Sequence, residues 1–409
     1  MKLSMKTKRL AMALAASLAL LIGLSDCDRN DEPGGDDFKF ELTAEGQVVV
    51  EQANDFAFNL MRQINEGEKN NNVLLSPYSA ATLLSMLANG AAGDTRDQML
   101  QALGHANLDQ LNSYYAKLTR SFSGSNTFMT ANSLWSSKNI SMKSQYVNDL
   151  KNYYQAPHFS IDFSTATKRI NKWISDNTKG MIPEAIHADL TNHCVCLVNA
   201  AYFASKWNTK FDQKDTKEEN FIGINAWEKV QMMHNEQFVS RYDDDDLTVA
   251  TIPYQNHAYN LIILLPEKSV DINQFVNELT SEKLSYWLSN QVTEKVRVGL
   301  PYWKMDYRID LIPTLKQMGI TDAFSMLKAN FTPSTDAQWC VKLCEQNILI
   351  KVDEEGTVAA VETHAVGGFT SPGPTSPIIV NRPFVYLITE NSTGTILFAG
   401  KIVTMRDLQ

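Results

Sequence analysis

The chain has 409 residues, 44% of them apolar and 20% charged, a composition that excludes a disordered or repeat-built body. Its formal charge of −9 comes without any basic stripe or aromatic–basic repeat, which excludes nucleic acid as a partner. Five cysteines in a chain of this length exclude a small disulfide-held scaffold.

The first segment, MKLSMKTKRLAMALAASLALLIGLSDC, places four basic residues in its first nine positions and then runs uncharged from Leu10 to Ser25. That is the form of an export signal and too short to be an obvious permanent membrane span. Its end, LSDC, resembles the bacterial lipoprotein processing site, although Asp26 stands where that pattern carries a small residue. Lipidation of Cys27 is therefore expected, with release as a secreted protein as the alternative. Residues 1–26 read as a signal peptide, 27–45 as a charged flexible tether and 46–409 as one domain. Removing residues 1–26 takes four basic and one acidic side chain, leaving 33 against 45 and a charge of −12.

Helices dominate the first third of the body. QVVVEQANDFAFNLMRQI (47–64) has apolar residues at helical spacing, and SPYSAATLLSMLANG opens on Ser76-Pro77 and closes on Gly90. Further helices are expected over Asp94–Leu103, Gln145–Tyr154 and Ala166–Asn177. From residue 194 the pattern changes to β-branched and aromatic runs bounded by turns: CVCLVNAAYF, VATIPY, YNLIILLP and KVRVGLP. IDLIPTLKQMGI returns to a helix, and NILIKVDE, FVYLIT and GTILFAGKIV are strands. The fold class is α+β, without a regular βαβ alternation.

Between the last strands lies VDEEGTVAAVETHAVGGFTSPGPTSP, from Val352 to Pro377. If it is extended, Thr357, Ala359, Val361, Thr363, Ala365 and Gly367 share one face, which is small or β-branched and uncharged. Glu362 and His364 fall on the other. The Gly/Pro/Ser tail that follows suits an exposed loop. By composition alone the segment is either an ordinary surface loop or a strand able to enter a sheet, with Gly356 relaxing the backbone between the two.

These residues resemble the reactive-loop hinge of the serpin family, and the resemblance runs from about residue 48 to 403. It is carried by EEGTVAAVET and by NVLLSPYSAATLLSMLANGAAGDT (72–95), INKWISDNTKGMI (170–182), LVNAAYFASKW (197–207), VQMM (230–233) and LPYWKMDYRIDLIPTLKQMGITDAF (300–324). VNRPFVYLI and TGTILFAGKI complete it. The resemblance implies three β-sheets and about nine helices around one core, with a reactive loop over about 356–380 exposed near the C-terminus. It implies an inhibitor of serine proteases rather than an enzyme, working without a cofactor as a monomer. A protease cuts the loop and forms an acyl-enzyme, and the hinge strand inserts into the central sheet. Glu354, Glu355, Gly356 and Thr357 form the hinge, while Thr357, Ala359, Val361, Thr363 and Ala365 form the inserting face. Val358, Val361 and Glu362 depart from the usual alanine-rich hinge. Ser76, Asn199 and Thr95 match family positions near the opening sheet and helix starts, with structural roles.

Counting from Gly356 by the family pattern sets Thr370 before the attacked bond and Ser371 after it, with Phe369–Thr370 as second choice. No Lys or Arg occurs between Lys351 and Arg382, so the implied targets are elastase-like, subtilisin-like or chymotrypsin-like, with papain-like cysteine proteases as a further class. The implied alternative is a non-inhibitory or substrate-like serpin acting as a binding protein. Together with the leader, the resemblance is taken to indicate a bacterial exported member, held on the membrane by a lipid at Cys27 and facing the periplasm or the outer surface.

Three other signals are weak. His187, His193, Cys194 and Cys196 do not close a tetrahedron, because a strand puts Cys194 and Cys196 on one face and His193 on the other. Asp243–Asp246 lack the spacing of a calcium loop and read as a solvated hairpin. No G-x-S-x-G element gathers a hydrolase triad. In the resembling fold the Cys194/Cys196 strand and the Cys340/Cys344 segment flank the gap that must open, so a disulfide between them would restrain insertion.

Overall fold

The computed structural model describes residues 42–105, 107–123, 125–357 and 376–408. Helix α1 (Ala44–Gly67) begins where the Thr43 hydroxyl accepts from the Gly46 amide, and its stripe of Val50, Phe56, Leu60 and Ile64 is buried. Strand β1 (Val73–Leu75) leads into α2 (Pro77–Asn89), which Ser76 caps and Pro77 opens. Then follow α3 (Asp94–Ala102), α4 (Leu108–Phe122), α5 (Ser144–Tyr154) and α6 (Ala166–Asn177). The later helices are α7 (Ile272–Asn277), α8 (Ser281–Ser289) and α9 (Ile312–Gln317), making nine α-helices among the described residues. Helix α9 is shorter than the sequence pattern, because Asp310 still belongs to a strand and Gly319 turns the chain at φ 94°. Helix α4, capped by Asn107, has no counterpart in the sequence reading.

The strands form three sheets. One is nine-stranded, in the order β1, β16 (Ile396–Ile402), β15 (Phe384–Glu390), β9 (Tyr259–Pro266), β8 (Leu247–Pro253), β7 (Trp227–Asp243), β10 (Val292–Pro301) and β14 (Ile378–Ile379). Its ninth strand, β6 (Lys217–Ile222), pairs with β7 off this path. The second has three strands, with β2 (Phe128–Ser137) between β3 (His158–Ile161) and β4 (Val195–Phe203). The third has four, in the order β11 (Trp303–Asp310), β12 (Glu345–Val352), β13 (Gly356–Thr357) and β5 (Ser205–Lys206). Asp244–Asp246 form the β7–β8 turn, and Asp243 at the end of β7 accepts from Arg241 and Thr248. Among the described residues no helix is long and apolar enough to cross a membrane.

Only Ala204 separates β4 from β5, so the two smaller sheets share one running strand. β5 is antiparallel to β13 and β13 to β12, which makes β4 and β12 parallel neighbours. They meet across β13 at one end and carry no ladder between them below it. The two faces of β4 serve different cores. Leu197, Ala201 and Phe203 pack on the main core, whereas Cys196, Val198 and Ala200 pack beneath α6 with Trp135, Ile170 and Ile174.

Candidate functional site

The hinge is built by a tight turn. The Asp353 carboxylate accepts from the Glu355 amide at 3.0 Å and the Gly356 amide at 3.1 Å, and the Asp353 amide donates to the Gly356 carbonyl at 2.9 Å. Lys351 pairs with the same carboxylate at 2.6 Å. The turn folds Gly356 and Thr357 back between β12 and β5, so that Thr357 faces Val352 on one side and Ser205 on the other.

Gly356 is required there for space and not for a left-handed φ. A Cβ on it would collide with the Ser205 carbonyl oxygen and lie 2.7 Å from the Lys206 Cα. Thr357 is fully buried, its hydroxyl 2.6 Å from the Tyr254 hydroxyl. The Tyr254 ring stacks on Trp207 at 4.7 Å and 8°, and the Trp207 indole donates to the Asp353 carbonyl at 2.8 Å. The Trp207 and Phe211 amides hold the Glu355 and Glu354 carbonyls at 2.9 and 3.0 Å. Glu354 accepts from the Thr216 hydroxyl at 2.7 Å, and Glu355 lies 3.7 Å from Lys210.

Below Thr357 the walls of the gap enclose a cavity of about 80 Å³, with Cys196–Ala201 on one wall and Leu343–Ile348 on the other. Ser76 and Ser79 form its floor. Gln346 ties its wall to the floor through both ends of its amide, accepting from the Ser76 amide at 3.1 Å and donating to the Ser76 carbonyl at 2.8 Å. The Ser76 hydroxyl donates to the Leu397 carbonyl at 2.8 Å. Asn199 donates to Asn132 at 2.6 Å, and its own Oδ1 has no partner among the described residues. Thr95 lies elsewhere, accepting from the Asn330 amide at the start of α3.

The distal end of the loop is fixed independently. Ile378 and Ile379 pair in parallel with Val298 and Gly299, the Val380 amide donates to the Gly299 carbonyl at 2.8 Å, and Arg241 donates to the Ser376 carbonyl at 2.7 Å. The loop is thus anchored at Thr357 and at Ser376, on two different sheets.

Of the site residues named from sequence, the structure gathers Glu354, Glu355, Gly356 and Thr357 at the head of the gap. Ala359, Val361, Thr363, Ala365, Phe369, Thr370, Ser371 and Cys27 lie outside the described residues. Sequence reasoning gave no role to Trp207, although it closes the LVNAAYFASKW motif, nor to Tyr254, Phe211 and Gln346, which no local pattern marks. Asp353 did carry a signal, an acid three residues before a glycine at the end of a strand. Cys194, Cys196, Cys340 and Cys344 are free thiols, and no metal-binding cluster exists among the described residues. Cys194 and Cys196 do not share a face as strand alternation requires. Cys194 precedes β4 and packs on the main core, while Cys196 packs beneath α6.

The family model described as Serpin (serine protease inhibitor) matches residues 51–405. Serpin B6 of Macaca fascicularis is 31% identical over 373 residues, 87% of this chain and 98% of the relative. The crystal structure of mouse protein-Z dependent protease inhibitor covers 88% of this chain and 100% of its own at 28% identity, with a TM-score of 0.77. That of human thyroxine-binding globulin complexed with thyroxine covers the same shares at 27% identity, with a TM-score of 0.79.

These findings correct the assignment to a bacterial exported lipoprotein. The three proteins just named are mammalian serpins or share their fold, and none of them is a bacterial lipoprotein. The signal peptide, the Cys27 lipid anchor, the membrane as a partner and the cell-envelope location rested on residues 1–27. Those residues lie outside both the matched span and the described residues, so the likeness gives these assignments no support and they do not stand. What the matched body establishes is that this chain belongs to the serpin family, a family of serine protease inhibitors and not of enzymes.

Proposed function

We propose that the chain is a suicide-substrate inhibitor of serine proteases, with residues 46–409 as its single domain and about 356–380 as its reactive loop. A protease attacks the loop between its two anchors and forms an acyl-enzyme through its own serine. The hinge strand then enters the gap between β4 and β12 before the ester is hydrolysed, and carries the bound protease away from the distal anchor. Each ladder hydrogen bond gained contributes roughly 0.5–1.5 kcal/mol net. The uncut loop, held at both ends, is kept from the same route by kinetics.

The observation that carries this reading is the register at Thr357, paired with Ser205 on one side and Val352 on the other. Continued along β4, the first ladder would bring Thr363 opposite Asn199. Continued along β12, the second would bring Thr363 opposite Gln346. Two separate ladders thus converge on one level, and the Asn199 Oδ1 that lacks a partner would gain the Thr363 hydroxyl. On the same face Ala359 would meet Phe203 and Ile350, Val361 would meet Ala201 and Ile348, and Ala365 would meet Leu197 and Cys344. None of these contacts buries a charge, while Glu362 and His364 would point the other way.

Thr370–Ser371 is the proposed bait bond and Phe369–Thr370 the second choice. Thr or Phe before the bond suits an elastase-like, subtilisin-like or chymotrypsin-like protease, and a papain-like cysteine protease could be trapped through the same loop. A second reading, a non-inhibitory or substrate-like serpin acting as a binding protein, is favoured by the likeness to thyroxine-binding globulin. Incubation with elastase-like and chymotrypsin-like proteases followed by a denaturing gel separates the two. A denaturation-resistant complex is expected from the trap, and clean loop cleavage with full recovery of protease activity from the second reading.

A further inference from the structure

All four cysteines of the described residues stand beside one gap: Cys194 and Cys196 at the start of β4, Cys340 and Cys344 on the segment leading into β12. They are not equivalent. Cys196 and Cys344 line the 80 Å³ cavity from opposite walls, but Cys196 packs beneath α6 and Cys344 on the main core, so their thiols lie on opposite sides of the sheet. Burial also pushes both of these thiols up to about 12, which leaves them poor nucleophiles.

Cys194 and Cys340 differ in where they pack. Both are half-buried and both pack on the main core. Their chain neighbours His193 and Val195 on one wall, and Trp339 and Val341 on the other, line a single cavity of about 30 Å³. The Cys194 thiol is also raised, chiefly by burial, and the Lys342 ammonium offsets this only in part. Cys340 adds a smaller upward push on it.

We propose that Cys194 and Cys340 form a disulfide when the protein meets a small-molecule disulfide, and that this bond latches the foot of the gap. The Cys194 thiolate attacks one sulfur of the small disulfide, whose S–S bond breaks and whose other half leaves as a thiolate. Cys340 then attacks the Cys194 sulfur and expels the second half. Two protein thiols are oxidised, one small disulfide is reduced to two thiols, and the two protons pass to the leaving thiolates. The consequence for inhibition rests on the function proposed above. The register that would bring Thr363 to Asn199 would bring Gly367 to Val195, so the bond would cross the gap at the foot of the inserting strand. The crosslinked walls could not part there, and insertion would stop short.

The test treats the full chain with oxidised glutathione, blocks residual thiols with iodoacetamide and maps peptides without reduction. The expected product is a Cys194–Cys340 linked peptide, with denaturation-resistant protease complex reduced at least tenfold and restored by dithiothreitol. Cys194→Ser and Cys340→Ser should each inhibit normally and ignore the oxidant. Free thiols, glutathione adducts alone or a Cys196–Cys344 link would overturn the pairing. A correct link with undiminished complex would overturn the latch. If the reduced protein forms no complex, the proposed function fails instead. The latch is then read from the rise in thermal midpoint on loop cleavage, which the crosslink should abolish; an unchanged rise counts against it.

Discussion

The Thr357 and Tyr254 hydroxyls meet at 2.6 Å in a fully buried spot, roofed by the Trp207 ring and bounded by Val352 and Ser205. That contact fixes the first residue of the hinge strand between the two walls of the gap, and with it the register on both sides. Thr357→Val keeps the shape and leaves the Tyr254 hydroxyl unpaired, at a cost of about 1–3 kcal/mol. Amide exchange at Trp207, which donates to Glu355, should quicken in the variant; unchanged exchange would show that the hydroxyl pair does not hold the hinge.

Gly356→Ala introduces a Cβ where the Ser205 carbonyl already stands. Because the obstacle is backbone, the hinge must move, at roughly 1–3 kcal/mol. The variant should lose the Gly356–Lys206 pairing and be cleaved faster in its loop under limited proteolysis. Cleavage at the wild-type rate would mean the hinge tolerates the side chain.

The level of Thr363 is tested by charge. Thr363→Arg would carry a guanidinium between Asn199 and Gln346 on the core face, a burial that costs several kcal/mol. Insertion should then lose its race with deacylation, and the variant should be cleaved as a substrate with the protease released. Undiminished complex yield would refute the assignment of that face.

Specificity is expected to follow the residue before the cut. Mass spectrometry of the released C-terminal fragment should find Ser371 at its start. Thr370→Arg should speed complex formation with a trypsin-like protease by roughly tenfold or more, since a charged pocket rewards a matching side chain. A fragment starting at Thr370 would move the bond to the second choice.

A pH dependence is built into His105. Burial lowers its pKa from 6.5 to about 4. Between those values the unfolded chain takes up a proton that the folded chain does not, so this contribution is full above about pH 6.5 and is lost as the pH falls toward 4. The urea midpoint should fall between pH 7 and pH 5, and the fall should be smaller in His105→Gln. An equal fall in both proteins would remove His105 as its source.

The sequence carried the fold further than it carried the site. Ser76-Pro77 opening α2, the apolar spacing of α1 and the β-branched runs of β4, β9 and β15 are local signals, and each corresponds to an element. Helix α4 escaped because Leu111, Tyr115, Leu118 and Phe122 lie in a polar stretch, and β7 because its 17 residues alternate too irregularly to read as one strand. At the site, the chain turn at Asp353–Gly356 was within reach of local reasoning. The Trp207–Tyr254 stack and the Gln346–Ser76 clasp were not, because each joins residues far apart in sequence through the closed core. The leader misled by being locally strong and globally silent: residues 1–27 say nothing of the body that places the chain among the serpins.

The most direct test of strand insertion is a crystal structure of the protein after loop cleavage. It should contain a new strand between β4 and β12, with Thr363 level with Asn199 and Gln346 and its hydroxyl on the Asn199 Oδ1. A cleaved loop lying outside the gap, or a strand one residue out of that register, would contradict it.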